Sequence, residues 1–278
     1  MFFDLLASAR QMTFSLKNYS SVVQDMSIEG IFFDLYGTLL VYGNMTAAWS
    51  DWLSTFYDLL KRQGLNLSKD SFALECDGFF SNVEPARDEN DLTVLERRIK
   101  SLGRRLNLEL DKDQLRPIAD RIASAWQTHI SIDPETVPVL SALKQNKKIG
   151  LVSNFDHPQH VRNMLIQYGI EAFFDTIVIS SEVGVKKPDP AIFSFALAQT
   201  GLLQNEVIYV GDTDEDVAGA TAAGIQPIFI ARPANSTDRA ALDYQVADSG
   251  TESPNHFLSK NEVTVIKSLQ EILIITNH

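Results

Sequence analysis

Basic side chains are scarce in this 278-residue chain. Its 24 lysines and arginines stand against 36 aspartates and glutamates, a formal charge of −12. That balance disfavours nucleic acid or an anionic membrane as a main partner. Cysteine is nearly absent: the single Cys76 excludes an internal disulfide framework and fits a reducing, cytoplasmic setting. Its place on an apolar helical stripe marks a buried core thiol rather than a nucleophile. Long hydrophobic runs are missing too, with nothing near the roughly 20 apolar residues that span a bilayer. Residues 1–25 lack the basic start and unbroken apolar stretch of a secretory leader, and are expected to be an appendage without catalytic role. There is no internal repeat and no low-complexity tract. The length suffices for one large or two moderate domains with a substantial core.

What is present begins with a strand. Ile31, Phe32 and Phe33 form a short apolar run that delivers Asp34 at its carboxyl end, where open α/β sheets bind their ligands. Gly37 and Thr38 follow in a tight turn whose amides and hydroxyl suit a phosphate or carboxylate. Two later apolar runs also end in polar residues, at Ser153-Asn154 and at Gly211-Asp212, and between them lies Gly184-Val185-Lys186-Lys187-Pro188-Asp189-Pro190. Strands are expected at 147–152, 176–179, 206–210, 227–230 and 263–266. They alternate with helices at 157–168, 188–200 (Pro188 opening it), 214–223 and 267–274. This alternation predicts an α/β fold with a doubly wound parallel sheet. The polar stretch 231–262 reads as a loop excursion.

Between Asp34 and Ser153 the periodicity changes. Trp49, Trp52, Leu53, Phe56 and Leu60 follow helical spacing, as do Phe72, Cys76, Phe79 and Phe80. The same holds for Leu92, Leu95, Ile99, Leu102 and Leu106, and for Leu115, Ile118, Ile122 and Trp126. Four such helices pack as a bundle, so residues 44–130 are expected to be a helical domain inserted into a core made of 26–43 and 131–278. Tyr42, Asn44 and Trp49, at its entrance, are its candidates for lining a substrate cleft.

These motifs, in this order over about residues 28–230, resemble those of the haloacid dehalogenase superfamily, whose sheet is Rossmann-like. The resemblance implies that Asp34 is a nucleophile, that Ser153 binds the transferred group and that Lys187 is the active-site cation. It implies that Asp212 and Asp216 hold Mg²⁺ together with Asp34 and the backbone carbonyl of Tyr36. Gly37, Thr38, Asn154 and Tyr36 would join Ser153 around the substrate, and the helical insertion would be a type 1 cap. Lys186 competes with Lys187, but the superfamily places its lysine directly before the proline. His157 and His160, which open a helix beside Ser153, read as structural.

The chain departs from the pattern at one position. Two residues after the nucleophile, where most phosphatases of the superfamily carry a general acid/base aspartate, stands Tyr36. A phenol, with a reference pKa of about 10, is a poor base near neutrality. Losing such a group lowers a rate by about 10² to 10⁴. The 2-haloacid dehalogenase branch carries a tyrosine in the same context, and halide leaves without a proton and without Mg²⁺. Residues 211–216, however, look like an intact metal motif. The expectation is therefore a Mg²⁺-dependent phosphatase that acts on a small phosphorylated metabolite through an aspartyl-phosphate, as a monomer or homodimer. The alternatives are a 2-haloacid dehalogenase-like hydrolase and a catalytically weak protein that binds a phosphorylated ligand.

Overall fold

The apolar quartet Gly30–Phe33 forms strand β1 and is buried throughout, as a continuous apolar run in a parallel sheet should be. On one side it pairs in parallel with β4 (Lys148–Ser153), Phe33 opposite Leu151. On the other it pairs in parallel with β6 (Val207–Gly211), Phe33 opposite Val210. Outside these lie β5 (Thr176–Ile179), β7 (Gln226–Ile230) and β8 (Thr264–Ile266), giving the order β5-β4-β1-β6-β7-β8. All five pairings are parallel. The computed structural model describes residues 27–87, 91–232 and 263–276, so the expected appendage at 1–25 and nearly all of the excursion at 231–262 lie outside the described residues.

Alternation along the strands builds a core on each face of the sheet. Ile31, Phe33, Leu151 and Val210 pack with Val139, Leu140, Val161 and Leu165. Phe32, Val152 and Tyr209 face the other way, against Ile192, Phe193, Ala196 and Ala220. The covering helices are α5 (Thr136–Leu143) and α6 (Pro158–Gln167) on the first face, and α8 (Ala191–Thr200) and α9 (Asp214–Ala222) on the second. A short turn of helix, α7 (Ser180–Val183), follows β5, and α10 (Glu271–Thr276) ends the described chain. The strand order reverses around β1, so the ligand-binding crevice falls at the carboxyl ends of β1, β4 and β6.

After β1 the chain enters an antiparallel ribbon, β2 (Leu40–Tyr42) with β3 (Ile130–Ile132), which sequence periodicity did not suggest. Between these strands stand α1 (Met45–Arg62), α2 (Lys69–Glu75), α3 (Val94–Arg105) and α4 (Lys112–Gln127). Side chains define their starts. The Asn44 amide oxygen accepts from Ala47 N at 2.9 Å, and Thr93 with Glu96 and Asp111 with Gln114 form reciprocal capping boxes. The helices share an apolar cluster that includes Trp52, Phe56, Phe72, Ile99 and Ile118, with Cys76 fully buried in it.

Some boundaries differ from the sequence expectation. Helix α2 stops at Glu75, so Cys76 is its C-cap and Phe79 and Phe80 pack from the following turns. Helix α8 begins at Ala191, not Pro188, because a turn occupies 187–190 and the Asp189 carboxylate accepts from Ala191 N at 2.9 Å. Helix α10 starts at Glu271 because that side chain reaches back to accept from Lys267 N and Ser268 N, at 2.7 and 3.0 Å. Among the described residues no helix is long and apolar enough to cross a membrane.

Candidate active site

Asp34 is the first residue past β1, and its N–H extends the ladder by donating to Val210 O at 2.9 Å. Its carboxylate meets Lys187, which lies 153 residues away in sequence: Lys187 Nζ donates to Asp34 Oδ1 at 2.6 Å. The same ammonium reaches Asp216 Oδ1 at 2.7 Å, Tyr209 Oη at 2.9 Å and Val152 O at 3.1 Å. Lys187 is thus buried with four acceptors for three protons. Asp216 is spoken for at both oxygens, since Tyr209 donates to Oδ1 at 2.8 Å while Thr213 N and Oγ1 donate to Oδ2 at 3.0 and 2.6 Å. Asp212, from the end of β6, completes the group. One oxygen from each of Asp34, Asp212 and Asp216 lies within 4.8 Å of the others.

Three carboxylates and one ammonium leave an excess of negative charge in a crevice where Asp34, Asp216 and Lys187 are buried and Asp212 is half-buried. Burial pushes the Asp34 carboxyl up to about 6, with Asp216 adding to the rise and Lys187 opposing it. Burial, then Asp34 and Asp216, hold Asp212 well above the usual carboxylate range. Asp216 goes the other way. Burial alone would raise it, but Lys187 and the donors Thr213 and Tyr209 hold it below its ordinary value. Burial acts against the Lys187 charge, and Asp216 and Asp34 more than offset it. Asp216 and Lys187 therefore form a settled ion pair, and Asp34 and Asp212 carry the unbalanced charge. Their oxygens are hard donors that suit Mg²⁺.

The turn after Asp34 is shaped to this group. Gly37 has φ 85°, and a Cβ there would sit 2.1 Å from Asp212 Oδ2, so the backbone approach needs glycine. Thr38 Oγ1 stands 3.5 Å from Asp212 Oδ1. Arg232, which the sequence reading passed over, donates to Gly37 O and Thr38 O at 3.2 and 2.5 Å and pairs with Asp133, fixing the turn from outside. Ser153, 1% exposed, closes β4 beside β1. Asn154, expected among the substrate contacts, is engaged at both ends of its amide with the Lys187 backbone, accepting from N at 2.9 Å and donating to O at 3.0 Å. It also forms part of a cleft wall. Tyr209 and Thr213 were missed as well. The signal for Tyr209 was a hydroxyl inside the otherwise aliphatic run 207–210, which must find polar partners when buried.

Tyr36 is buried, donates its hydroxyl to Gln127 Oε1 at 3.0 Å and stacks on Phe155 with ring centroids 5.1 Å apart. Burial, then Tyr168 and Asp34, raise its pKa well above 10, so it holds its proton near neutrality. His157 bonds Asp120 at 2.7 Å and Thr93 at 3.5 Å. His160 bonds Gln127 at 3.2 Å, and burial followed by His157 pushes it down to about 4. Both histidines join α6 to the helical insertion. Arg98 of α3 reaches Asp156 at 2.7 Å in the same seam.

Between the insertion and the sheet lies a cleft of about 300 Å³, walled by Tyr36, Tyr42, Trp49, Trp126, Phe155 and Asn154 among others. Of the three entrance residues, Tyr42 and Trp49 line it, whereas Asn44 is exposed and spent on capping α1. Lys186 is exposed on its wall, while Lys187 is inside the acidic group.

A family model for haloacid dehalogenase-like hydrolases matches residues 28–224. The phosphoglycolate phosphatase of Yersinia pestis is 30% identical over 205 residues, 73% of this chain and 81% of that protein. The pyrimidine 5'-nucleotidase YjjG of Escherichia coli (strain K12) is 37% identical over 136 residues, 48% of this chain and 57% of that one. The glyceraldehyde 3-phosphate phosphatase of Methanopyrus kandleri is 35% identical over 127 residues, 45% and 54% of the two chains. The last two matches span little more than half of those relatives. Among solved structures, a HAD phosphatase from Thermococcus onnurineus superposes with a TM-score of 0.56 at 21% identity, covering 89% of this chain and 97% of that one. The 2-haloacid dehalogenase from Pseudomonas syringae pv. Tomato gives 0.54 at 18%, covering 90% and 98%. At these identities the two structures speak to the fold alone.

Proposed function

The chain belongs to the haloacid dehalogenase-like hydrolases, and from that premise we propose that it is a Mg²⁺-dependent phosphatase of small phosphorylated metabolites, with Asp34 as nucleophile. One observation carries the reading: Asp34, Asp212 and Asp216, spread over the length of the core, bring oxygens within 4.8 Å of one another around a single buried lysine. Relatives named as phosphatases of phosphoglycolate and glyceraldehyde 3-phosphate support the class of reaction.

In this reading Asp34, Asp212 and the Tyr36 backbone carbonyl would hold the ion, with Asp216 anchoring Lys187 beside them. When bound, the cation would offset the repulsion between a carboxylate nucleophile and a phosphate dianion. Asp34 attacks phosphorus, and water later cleaves the aspartyl-phosphate. Lys187, Ser153, Thr38 and the amide of Gly37 hold phosphoryl oxygens. Asn154 keeps Lys187 in place through its backbone. Residues 44–130 act as a cap over a core of 26–43 and 131–278, and the cleft between them receives the rest of the substrate.

Tyr36 favours a second reading, a 2-haloacid dehalogenase. The acidic group weighs against it, because an enzyme that needs no cation gains nothing from burying Asp212 beside Asp34 at a raised pKa. A screen of phosphorylated metabolites and 2-haloacids, with and without a chelator, separates the two. Phosphate release that requires Mg²⁺ and is lost in Asp34→Asn is expected. Halide release that survives chelation, with no phosphate release, would overturn the proposal.

A further inference from the structure

The cleft shares Tyr36 and Asn154 with the surroundings of the acidic group, and its wall is built of rings. Tyr36 and Phe155 lie nearly parallel, 5.1 Å apart at 20°, and Trp126 tilts against both. Trp49 and Tyr42 extend the wall, with Trp49 and Trp126 centroids 6.1 Å apart. All three tryptophans of the chain border this cavity, although Trp52, 1% exposed, belongs to the core of the insertion. Trp49, Trp126, Phe155 and Tyr42 are only half-buried. Such walls favour a flat, polarizable ring over a flexible polar chain.

Three further observations narrow the occupant. The Trp126 Nε1–H is buried and has no hydrogen-bond partner among the described residues. An indole N–H can only donate, so an acceptor brought against it as the wall adjusts would satisfy it. The deep cation, Arg98, is committed to Asp156 at 2.7 Å and to Phe79 O and Asn82 O at 3.0 and 2.8 Å. It is therefore unavailable for a carboxylate substituent deep in the cleft, and the other lining cation, Lys186, lies at the exposed wall. Finally, the side chain two residues after Asp34 offers no proton to a departing group, because the Tyr36 hydroxyl donates to Gln127.

We infer that the leaving group is a planar aromatic alcohol, so that the substrate class is the aryl phosphates. The inference rests on the phosphatase reading. As an Asp34 oxygen bonds to phosphorus, the P–O(aryl) bond breaks and its electron pair departs on the aryl oxygen. That oxygen takes its proton from solvent. Water then adds to phosphorus and releases the Asp34 carboxylate, inorganic phosphate and a proton. A phenol ionises near pH 10, so its oxygen leaves readily without an acid, whereas an alkoxide does not.

Four substrates test this with Mg²⁺ present. Phenyl phosphate has both the ring and the good leaving group, benzyl phosphate the ring alone, cyclohexyl phosphate neither, and acetyl phosphate a good leaving group without a ring. Phenyl and benzyl phosphates should share a KM about tenfold or more below that of cyclohexyl phosphate, and phenyl phosphate should exceed benzyl phosphate in kcat by about 10². Trp126→Leu should lower the ratio of phenyl to acetyl phosphate kcat/KM by about fivefold or more. Since that variant removes packing, a second measurement uses Asp34→Asn, whose tryptophan fluorescence should be quenched saturably by phenyl phosphate at concentrations where cyclohexyl phosphate has no effect. Equal KM values for the phenyl and cyclohexyl esters would overturn the ring. A benzyl kcat equal to that of phenyl would overturn the leaving group and show that another acid, such as Glu215 on the cleft wall, supplies the proton. Turnover of acetyl phosphate alone would sink this inference and leave the phosphatase standing. No turnover of any of the four would sink both.

Discussion

Tyr209→Phe tests the least conspicuous part of the site. The substitution keeps the ring, which packs edge-on against Phe193 at 4.8 Å and 85°, and deletes one oxygen. That oxygen accepts from Lys187 at 2.9 Å and shares its own proton between Asp216 Oδ1 at 2.8 Å and Val152 O at 3.1 Å. No partner is left wholly unpaired. Lys187 keeps Asp34, Asp216 and Val152 O, and Asp216 keeps Lys187 and Thr213. The loss is therefore that of hydrogen bonds to charged groups, about 1.5–3 kcal/mol, without the larger penalty of an orphaned buried charge. At about 2–4 °C per kcal/mol for a chain of this size, the metal-free melting temperature should fall by roughly 3–12 °C.

Catalysis reports on the same oxygen. With Tyr209 gone, Lys187 and Asp216 lose the fixed point that sets their separation, and kcat should fall about tenfold, the equivalent of roughly 1.4 kcal/mol of transition-state stabilisation. Thermal denaturation by circular dichroism and steady-state phosphate release, each with and without Mg²⁺, measure the two effects. A melting temperature within 1 °C of the parent, with kcat unchanged, would refute the argument that Tyr209 positions the ion pair.

Asp212→Asn should not lower the metal-free melting temperature, since Asp212 sits unbalanced beside Asp34, but it should abolish the rise that Mg²⁺ brings; a lower metal-free value would contradict the charge analysis. Asp34, raised from 3.8 to about 6, keeps a proton in the folded chain that the unfolded chain has lost between those values, so its contribution to stability declines as pH rises through that window. Because Mg²⁺ must displace that proton, its stabilising effect should be present at about pH 8 and vanish near pH 5, as followed by thermal shift across a pH series. Gly37→Ala places a methyl 2.1 Å from Asp212 Oδ2 at φ 85°, and should raise the Mg²⁺ concentration for half-maximal activity and lower kcat by about tenfold or more. Kinetics at saturating Mg²⁺ that match the parent would show that the turn can yield.

The elements of the core were legible because each parallel strand is an apolar run with a chemically distinctive end. Asp34, Ser153 and Asp212 all sit where such a run stops, and the parallel pairing of β1, β4 and β6 brings those ends together. Lys187 was legible from its neighbours Lys186 and Pro188 only through resemblance, since neither periodicity nor charge separates two adjacent lysines. The ribbon β2–β3 was hidden because three-residue strands carry no period to read. Tyr209, Thr213, Arg232 and the second role of Asn154 were hidden for another reason. They touch the acidic group, its lysine and the turn after Asp34 from behind, and a supporting hydrogen bond leaves no spacing signature. The Arg98–Asp156 and His157–Asp120 contacts between insertion and core join residues 58 and 37 positions apart, so only the fold reveals them.

The arrangement of charge links these pieces. One ammonium stands among three carboxylates and bonds two of them, Asp34 and Asp216, leaving Asp212 with Thr38 at 3.5 Å as its side-chain partner. A polypeptide could have neutralised the crevice with a second lysine. Instead Gly37 brings the backbone against Asp212 where any Cβ would collide, and Arg232, a cation in the vicinity, is turned to the outer carbonyls of the turn and to Asp133. Among the described residues the crevice approaches neutrality by taking up protons, the direction in which burial moves Asp34 and Asp212, or by taking up a cation that prefers oxygen. Those two occupants compete for the same oxygens. Asp34, raised to about 6, meets that competition as pH falls toward and below that value, so in the proposed reaction acid should weaken ion binding and attack together.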